Sequence, residues 1–178
     1  KKLNESVVFI MGSGGPNAQK HFQHQKEVVK EFINNKTNPK TTFTVITYGQ
    51  NTAKKWKVDE PNKIKRNKLI DSVLWHGHGT RLDLGLEEAF KALRKKKPKT
   101  QKRVYVFVSQ VADVGTEPVK RAVGKLLNDG TELVTIQLVY EDRKEDKNVV
   151  PRTKFVVKSR VRDGPKKIGT VFAYYFLY

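Results

Sequence analysis

The residues best placed to do chemistry form a glycine-rich turn, Gly12-Ser13-Gly14-Gly15-Pro16-Asn17, directly after the apolar run Ser6 to Met11. A strand, such a turn and then a helix can present backbone N–H groups to a phosphate. The turn departs from the dinucleotide pattern G-x-G-x-x-G at its last position, which is Asn17. The next strand ends in Tyr48-Gly49-Gln50-Asn51, without the acidic residue that holds a ribose. No G-x-x-x-x-G-K followed by Ser or Thr occurs, so a nucleotide enzyme is not the expectation. The histidines fall in two pairs, His21/His24 on the first predicted helix and His76/His78 before Thr80. Imidazoles gathered at one end of the fold suit Zn²⁺ or Ni²⁺. Solvent-facing histidines without a ligand role are the preferred reading. With no cysteine, a disulfide scaffold, a thiolate zinc site, an iron–sulfur cluster and a cysteine nucleophile are excluded. No Ser/His/Asp order or carboxylate pair stands out, and the expectation is a non-enzyme without a cofactor.

Charge carries more information. Lys+Arg number 36 against 18 Asp+Glu, a net charge of +18, and the isoelectric point is near 10.0. The cations are grouped. Arg94, Lys95, Lys96, Lys97, Lys99, Lys102 and Arg103 form one cluster, with Pro98 expected to hold it on an exposed connector. Lys54, Lys55, Lys57, Lys63, Lys65, Arg66 and Lys68 form a second. Arg152, Lys154, Lys158, Arg160, Arg162, Lys166 and Lys167 form a third. A single charge run is ordinarily a solvated face. Three runs with a twofold excess of cations go beyond what solubility requires, and such a surface attracts polyanions.

These residues need a scaffold, and the chain supplies one. Its 178 residues suit one domain with a sizeable core, and its mean hydropathy is −0.62. No apolar run approaches a membrane span. Strand-like runs alternate with amphipathic helical patterns, which predicts an α/β domain with a mostly parallel sheet and helices on both faces. Strands are expected at 6–11, 42–48, 104–109, 133–139 and 155–157, with an antiparallel hairpin edge at 53–58. Helices are expected at 17–34, 64–74, from Thr80, at 116–128 and from Pro165 onward. Phe22, Val29, Phe32 and Ile33 should face inward on the first helix. Ile64, Leu69, Ile70 and Val73 make up the apolar positions of the second. Thr80 should cap the third in a box with Asp83, above a buried face of Leu82, Leu86, Ala89, Phe90 and Leu93. On the last, Ile168, Val171, Phe172, Tyr175 and Phe176 are expected to be buried.

Val8 to Gly15, Phe22, and Lys26 to Ile33 together resemble the start of a von Willebrand factor A domain. The resemblance continues through Phe43 to Gly49, Gly77-His78-Gly79-Thr80, Val104 to Ser109 and Leu133 to Val139. It is closest to the extracellular matrix and integrin branch and covers nearly the whole chain. It implies a doubly wound, mostly parallel sheet with one antiparallel edge strand, Rossmann-like, over a single domain 1–178. It also implies a divalent-cation site at the carboxyl ends of the central strands, built from Asp-x-Ser-x-Ser, a Thr and a further Asp. Carried over, these positions are Met11, Ser13, Gly15, Thr80 and Gln110. Ser13 and Thr80 are kept, the second Ser is Gly15, and both carboxylates are gone. A hard cation needs oxygen ligands with balancing charge, and a thioether is soft, so no metal is expected there. Asp113 is the one nearby carboxylate that could partly replace the loss, and Ser13 and Thr80 are read as caps.

The function expected is therefore a non-enzymatic matrix adhesion or scaffold domain. It would bind acidic polysaccharide, acidic matrix protein or a mineral surface such as calcium carbonate through its basic clusters, without metal. Collagen is a family partner, usually through the cation-dependent end that this sequence has lost. The alternative is an intracellular nucleic-acid-binding relative, disfavoured because no Arg/aromatic interleaving suggests base stacking. The chain begins at Lys1 and reads as one domain of a larger, secreted protein of the extracellular matrix. The sequons Asn4-Glu5-Ser6 and Asn35-Lys36-Thr37 are compatible with secretion.

Overall fold

All seven residues of β1 (Glu5–Met11) are buried, so this strand is covered on both faces and lies inside the sheet. The computed structural model of the chain describes residues 2–12, 18–77, 79–108, 114–139 and 149–160, and of residue 160 the backbone. After β1 come α1 (Ala18–Asn35), β2 (Thr41–Tyr48), β3 (Ala53–Lys57), α2 (Lys63–Asp71) and α3 (Leu82–Leu93). β4 (Gln101–Val108), α4 (Glu117–Asn128), β5 (Thr131–Val139) and β6 (Phe155–Arg160) follow. The strands form one six-stranded sheet in the order β3-β2-β1-β4-β5-β6. All neighbours are parallel except β2 and β3. The order turns outward in both directions from β1 and β4, the switch point of a doubly wound sheet. The expected doubly wound sheet with one antiparallel edge is the one observed.

Alternation along the strands sorts the core into two layers. Val7, Phe9 and Met11 point to the α1 side, where Phe9 meets Phe32 edge-on at 5.2 Å and stacks on Tyr105 at 5.4 Å. Val8 and Ile10 point to the other side, against Leu82, Leu86, Ala89 and Leu93 of α3 and Val119, Val123 and Leu126 of α4. Each fully buried aliphatic side chain of this kind contributes roughly 1.5–3 kcal/mol relative to exposure. α4 starts where Thr116 accepts a hydrogen bond from Val119 N, and it stops at Asp129-Gly130, with Gly130 at φ +74°. That conformation suits glycine.

The structure corrects three expectations. α2 ends at Asp71, Ile64 (69% exposed) and Leu69 (41%) face solvent, and only Ile70 of the helix is buried. Val73 is buried just beyond the helix end. Thr80 does not cap α3. It is exposed, the cap position is Arg81, and no side chain bonds the first turn there. β6 runs to Arg160, three residues beyond its expected end. The helix expected from Pro165 lies outside the described residues, as do Arg162, Lys166 and Lys167.

Candidate functional site

At the carboxyl ends of the strands, Met11 closes β1 with its side chain fully buried in the α1-side core. Gln25 of α1, itself fully buried, clamps the next residue. Its Oε1 accepts from Gly12 N (3.2 Å) and its Nε2 donates to Gly12 O (3.0 Å). Tyr48 crosses from the end of β2, and a Cβ on Gly12 would lie 2.4 Å from its ring. A Cβ on Gly79 would lie 2.5 Å from the Gly49 Cα, so the turn after β2 and the loop before α3 are packed backbone to backbone. Only glycine fits at Gly79, and a side chain at Gly12 would have to displace the Tyr48 ring. On the far side, Arg81 grips Asp83 through two hydrogen bonds of 2.9 Å, which hold the Asp83 carboxyl below its ordinary range. Met11, the position the resemblance gives to the leading carboxylate, is a buried thioether among apolar neighbours. Thr80 contributes one exposed hydroxyl. Among the described residues no group of three His, Cys, Asp or Glu gathers to hold a metal. Ser13, Gly15, Gln110 and Asp113 lie outside the described residues.

The histidines give another correction. His24 is not solvent-facing but buried, with its Nε2 at 2.9 Å from the Oγ of Ser159 on β6. Burial lowers its pKa from 6.5, and neighbouring His21 adds to the effect. His76 is half-buried, 6.3 Å from the Trp56 ring, and its pKa is lowered by burial and by Lys54. His78 lies outside the described residues.

The opposite end, where the parallel strands begin, gathers charge. The connector after α3 leaves Arg94, Lys95, Lys97 and Lys99 exposed, with the Arg94 guanidinium 5.8 Å from the Phe90 ring. Lys96 Nζ donates to Thr42 Oγ1 at 3.3 Å, which lays the connector against the first residues of β2. In the β2–β3 ladder, Lys57 stands opposite Thr44, two residues along the same face of β2. Lys96 of the first cluster and Lys57 of the second therefore both lie at the start of β2. Lys54, Lys55 and Lys57 are exposed along the sheet edge, and Lys63, Lys65 and Lys68 on α2.

Other predicted cations are engaged within the molecule, Lys154 with Glu132 at 2.6 Å among them. Arg66 donates to Asn34 Oδ1 (2.8 Å) and to the Glu60 carbonyl (3.0 Å). Lys102 pairs with Asp129 at 2.7 Å. Arg103 reaches Glu5 (3.2 Å) and Glu132 (3.0 Å). A cleft of about 320 Å³ beside Arg66 is lined by both signs of charge, Lys36 and Arg66 with Asp59 and Glu60, and favours neither.

The profile of the von Willebrand factor type A domain matches residues 6–157. The chain belongs to this family. No curated protein sequence matches it. Among solved structures it is similar to proximal thread matrix protein 1 from the mussel byssus with a zinc-occupied metal-ion-dependent adhesion site. That likeness has 20% identity and a TM-score of 0.69, over 97% of this chain and 46% of the other. A second structure of the same mussel protein gives 16% identity and a TM-score of 0.73 over the same shares. A von Willebrand factor type A protein from Catenulispora acidiphila gives 17% and 0.71, over 97% of this chain and 42% of the other. The chain thus spans just under half the length of these neighbours, and at such identities the likeness is one of fold.

Two residues of this A domain gave no signal in the sequence. Glu5 is 3% exposed and is the hub of the basic end. It accepts from Lys36 Nζ (2.9 Å), Arg103 Nη1 (3.2 Å) and Thr41 Oγ1 (3.2 Å). Gln25, the Gly12 clamp, is the other. Their partners lie 13 to 98 residues away along the chain, so no local pattern could announce them.

Proposed function

We propose that this A domain is a non-enzymatic adhesion or scaffold module of an extracellular matrix, and that it binds anionic components through its basic end and edge without a metal ion. The observation that carries the reading is the meeting of two clusters at the start of β2. Lys96 rests on Thr42 while Lys57 stands opposite Thr44, so cations some forty residues apart in sequence come together at the start of β2. A polyanion engages many such cations at once and releases condensed counterions, which multiplies contacts that are individually weak. The buried thioether of Met11 and the exposed Thr80 support loss of the family's cation site. The mussel byssus neighbours, one named a matrix protein with zinc at that site, support a matrix setting. Sulfated polysaccharide, acidic protein and carbonate mineral all present the repeated negative charge this surface suits.

The test is retention on heparin across a salt gradient, with chondroitin sulfate, collagen, DNA and calcium carbonate in parallel. Replacing Lys95, Lys96, Lys97 and Lys99 by Gln should bring elution to clearly lower salt and flatten the salt dependence, while EDTA changes nothing. Retention that ignores salt, or that EDTA abolishes, returns binding to the opposite end and overturns the reading.

A further inference from the structure

β3 is an outer strand of the sheet, and among the described residues its only ladder is with β2. Gly49 N donates to Thr52 O and Val58 N to Phe43 O, which fixes the phase of that antiparallel ladder. Hydrogen-bonded pairs alternate with non-bonded ones. Lys54 and Trp56 therefore turn their backbone groups toward β2. Ala53, Lys55 and Lys57 turn theirs outward, an edge of three N–H donors and three C=O acceptors that is unpaired among the described residues.

The side chains along this edge select what can pair with it. Lys55 and Lys57 share the α3-side face with Ile46 and Thr44, while Lys54 lies on the other face with Trp56, two residues further along the strand. All three lysines are exposed. A second copy of the chain adding edge to edge would set lysine against lysine, which blocks self-pairing. The same arrangement is complementary to an added strand with carboxylates at alternate positions. Residues directly across a ladder have Cβ atoms about 4.5–5.5 Å apart. Glu or Asp opposite Lys55 and Lys57 would then fall on the α3 side, beside the Lys95–Lys99 connector, and the intervening residues would fall on the side of the half-buried Trp56.

The geometry points to β3 as a docking edge for an acidic polypeptide segment, bound as an extended strand with acidic and apolar residues alternating. This inference rests on the reading that the basic surface takes acidic components, and it selects a polypeptide. Heparin, DNA and carbonate have no peptide backbone to complete the ladder, whereas a protein strand adds up to six hydrogen bonds.

A peptide alternating Glu and Val over about eight residues, capped at both ends, is the probe. Its affinity is measured by titration, and amide hydrogen exchange is followed in the bound and free protein. Binding should slow exchange at Ala53, Lys55 and Lys57 at least tenfold and leave Lys54 and Trp56 little changed. Ala53→Pro removes an outward donor without altering charge and should weaken the peptide about tenfold while heparin retention holds. The peptide N-methylated at every second residue keeps its charge and should bind at least tenfold more weakly, a control that does not depend on the variant folding. Equal affinity for the N-methylated peptide, with the three amides unprotected, means side-chain attraction alone and overturns the strand-addition proposal while the polyanion reading stands. Heparin retention without peptide binding overturns it likewise. Loss of both heparin and peptide binding overturns both readings.

Discussion

Met11 concentrates the question of a cation site in one side chain. It is fully buried at the end of β1, packed with Phe22 and Val28 in the same apolar cluster. Met11→Asp would place an ionised carboxyl there without a compensating partner, because Gln110, the position carried over for the second charge, is neutral. Burial of an unpaired charge dominates. The single change should destabilise the fold by roughly 1–3 kcal/mol in denaturant unfolding and give no saturable Mg²⁺ or Ca²⁺ heat. Micromolar affinity from Met11→Asp alone would show that the carried-over positions are misaligned. Glu5 is the opposite case, a buried carboxylate whose removal strands its partners. Glu5→Gln leaves Lys36 and Arg103 facing each other with one acceptor fewer, and loss of one member of such a buried group costs about 3 kcal/mol. Equilibrium unfolding checks this, and a change below 1 kcal/mol would mean that water solvates the group freely. Met11 was legible because the strand pattern around it is continuous. Glu5 was not, since burial of a polar residue is decided by partners on other strands and helices.

At the scale of elements, β1 and β4 were legible because a strand covered on both faces has apolar residues without interruption, a pattern no surface strand shows. β3 was legible from the Gly49-Gln50-Asn51 turn that precedes it. α2 was misjudged because apolar residues at helical spacing predict a buried stripe only if something packs there, and nothing among the described residues covers Ile64. The cap of α3 was misjudged because Asp83 bonds to Arg81 instead of completing a box. The contact between α1 and β6 went unseen for the same long-range reason as Glu5, and it carries a pH dependence. His24 sits against Ser159 with its pKa depressed by burial below 6.5, so the unfolded chain takes up a proton before the folded one does. Stability from this group is complete above pH 6.5 and is lost as pH falls below that value. Thermal midpoints should drop between pH 7.5 and 5. His24→Gln, which keeps a hydrogen-bonding group for Ser159 but cannot titrate, should flatten part of that drop, with His76 supplying another part. An identical pH profile in the variant would remove His24 from the account.

For the whole molecule, the deciding balance is between ion pairs that salt weakens and a net charge of +18 that salt relieves. The pairs are real, but most have an exposed member. Lys91–Glu88, Lys120–Glu117 and Lys125–Glu87 each leave the lysine half or more exposed. Exposed pairs of this kind contribute about 0–1 kcal/mol each, and salt removes only part of that. The buried group around Glu5 is screened far less. Repulsion, by contrast, is summed over every unpaired cation. Lys54, Lys55 and Lys57 follow one another along β3, and Lys96 lays the connector after α3 on the neighbouring strand β2, so these cations repel one another at one side of the sheet. Repulsion should therefore win. Raising NaCl from about 20 to 300 mM should raise the thermal midpoint by a few degrees. The Lys95, Lys96, Lys97 and Lys99→Gln protein should start higher at low salt and gain less. Heparin should stabilise the native chain further by binding the folded form, in proportion to the logarithm of its concentration above Kd. A midpoint that falls with salt would mean that the ion pairs outweigh the repulsion, and that the basic clusters lie too far apart to act as one surface.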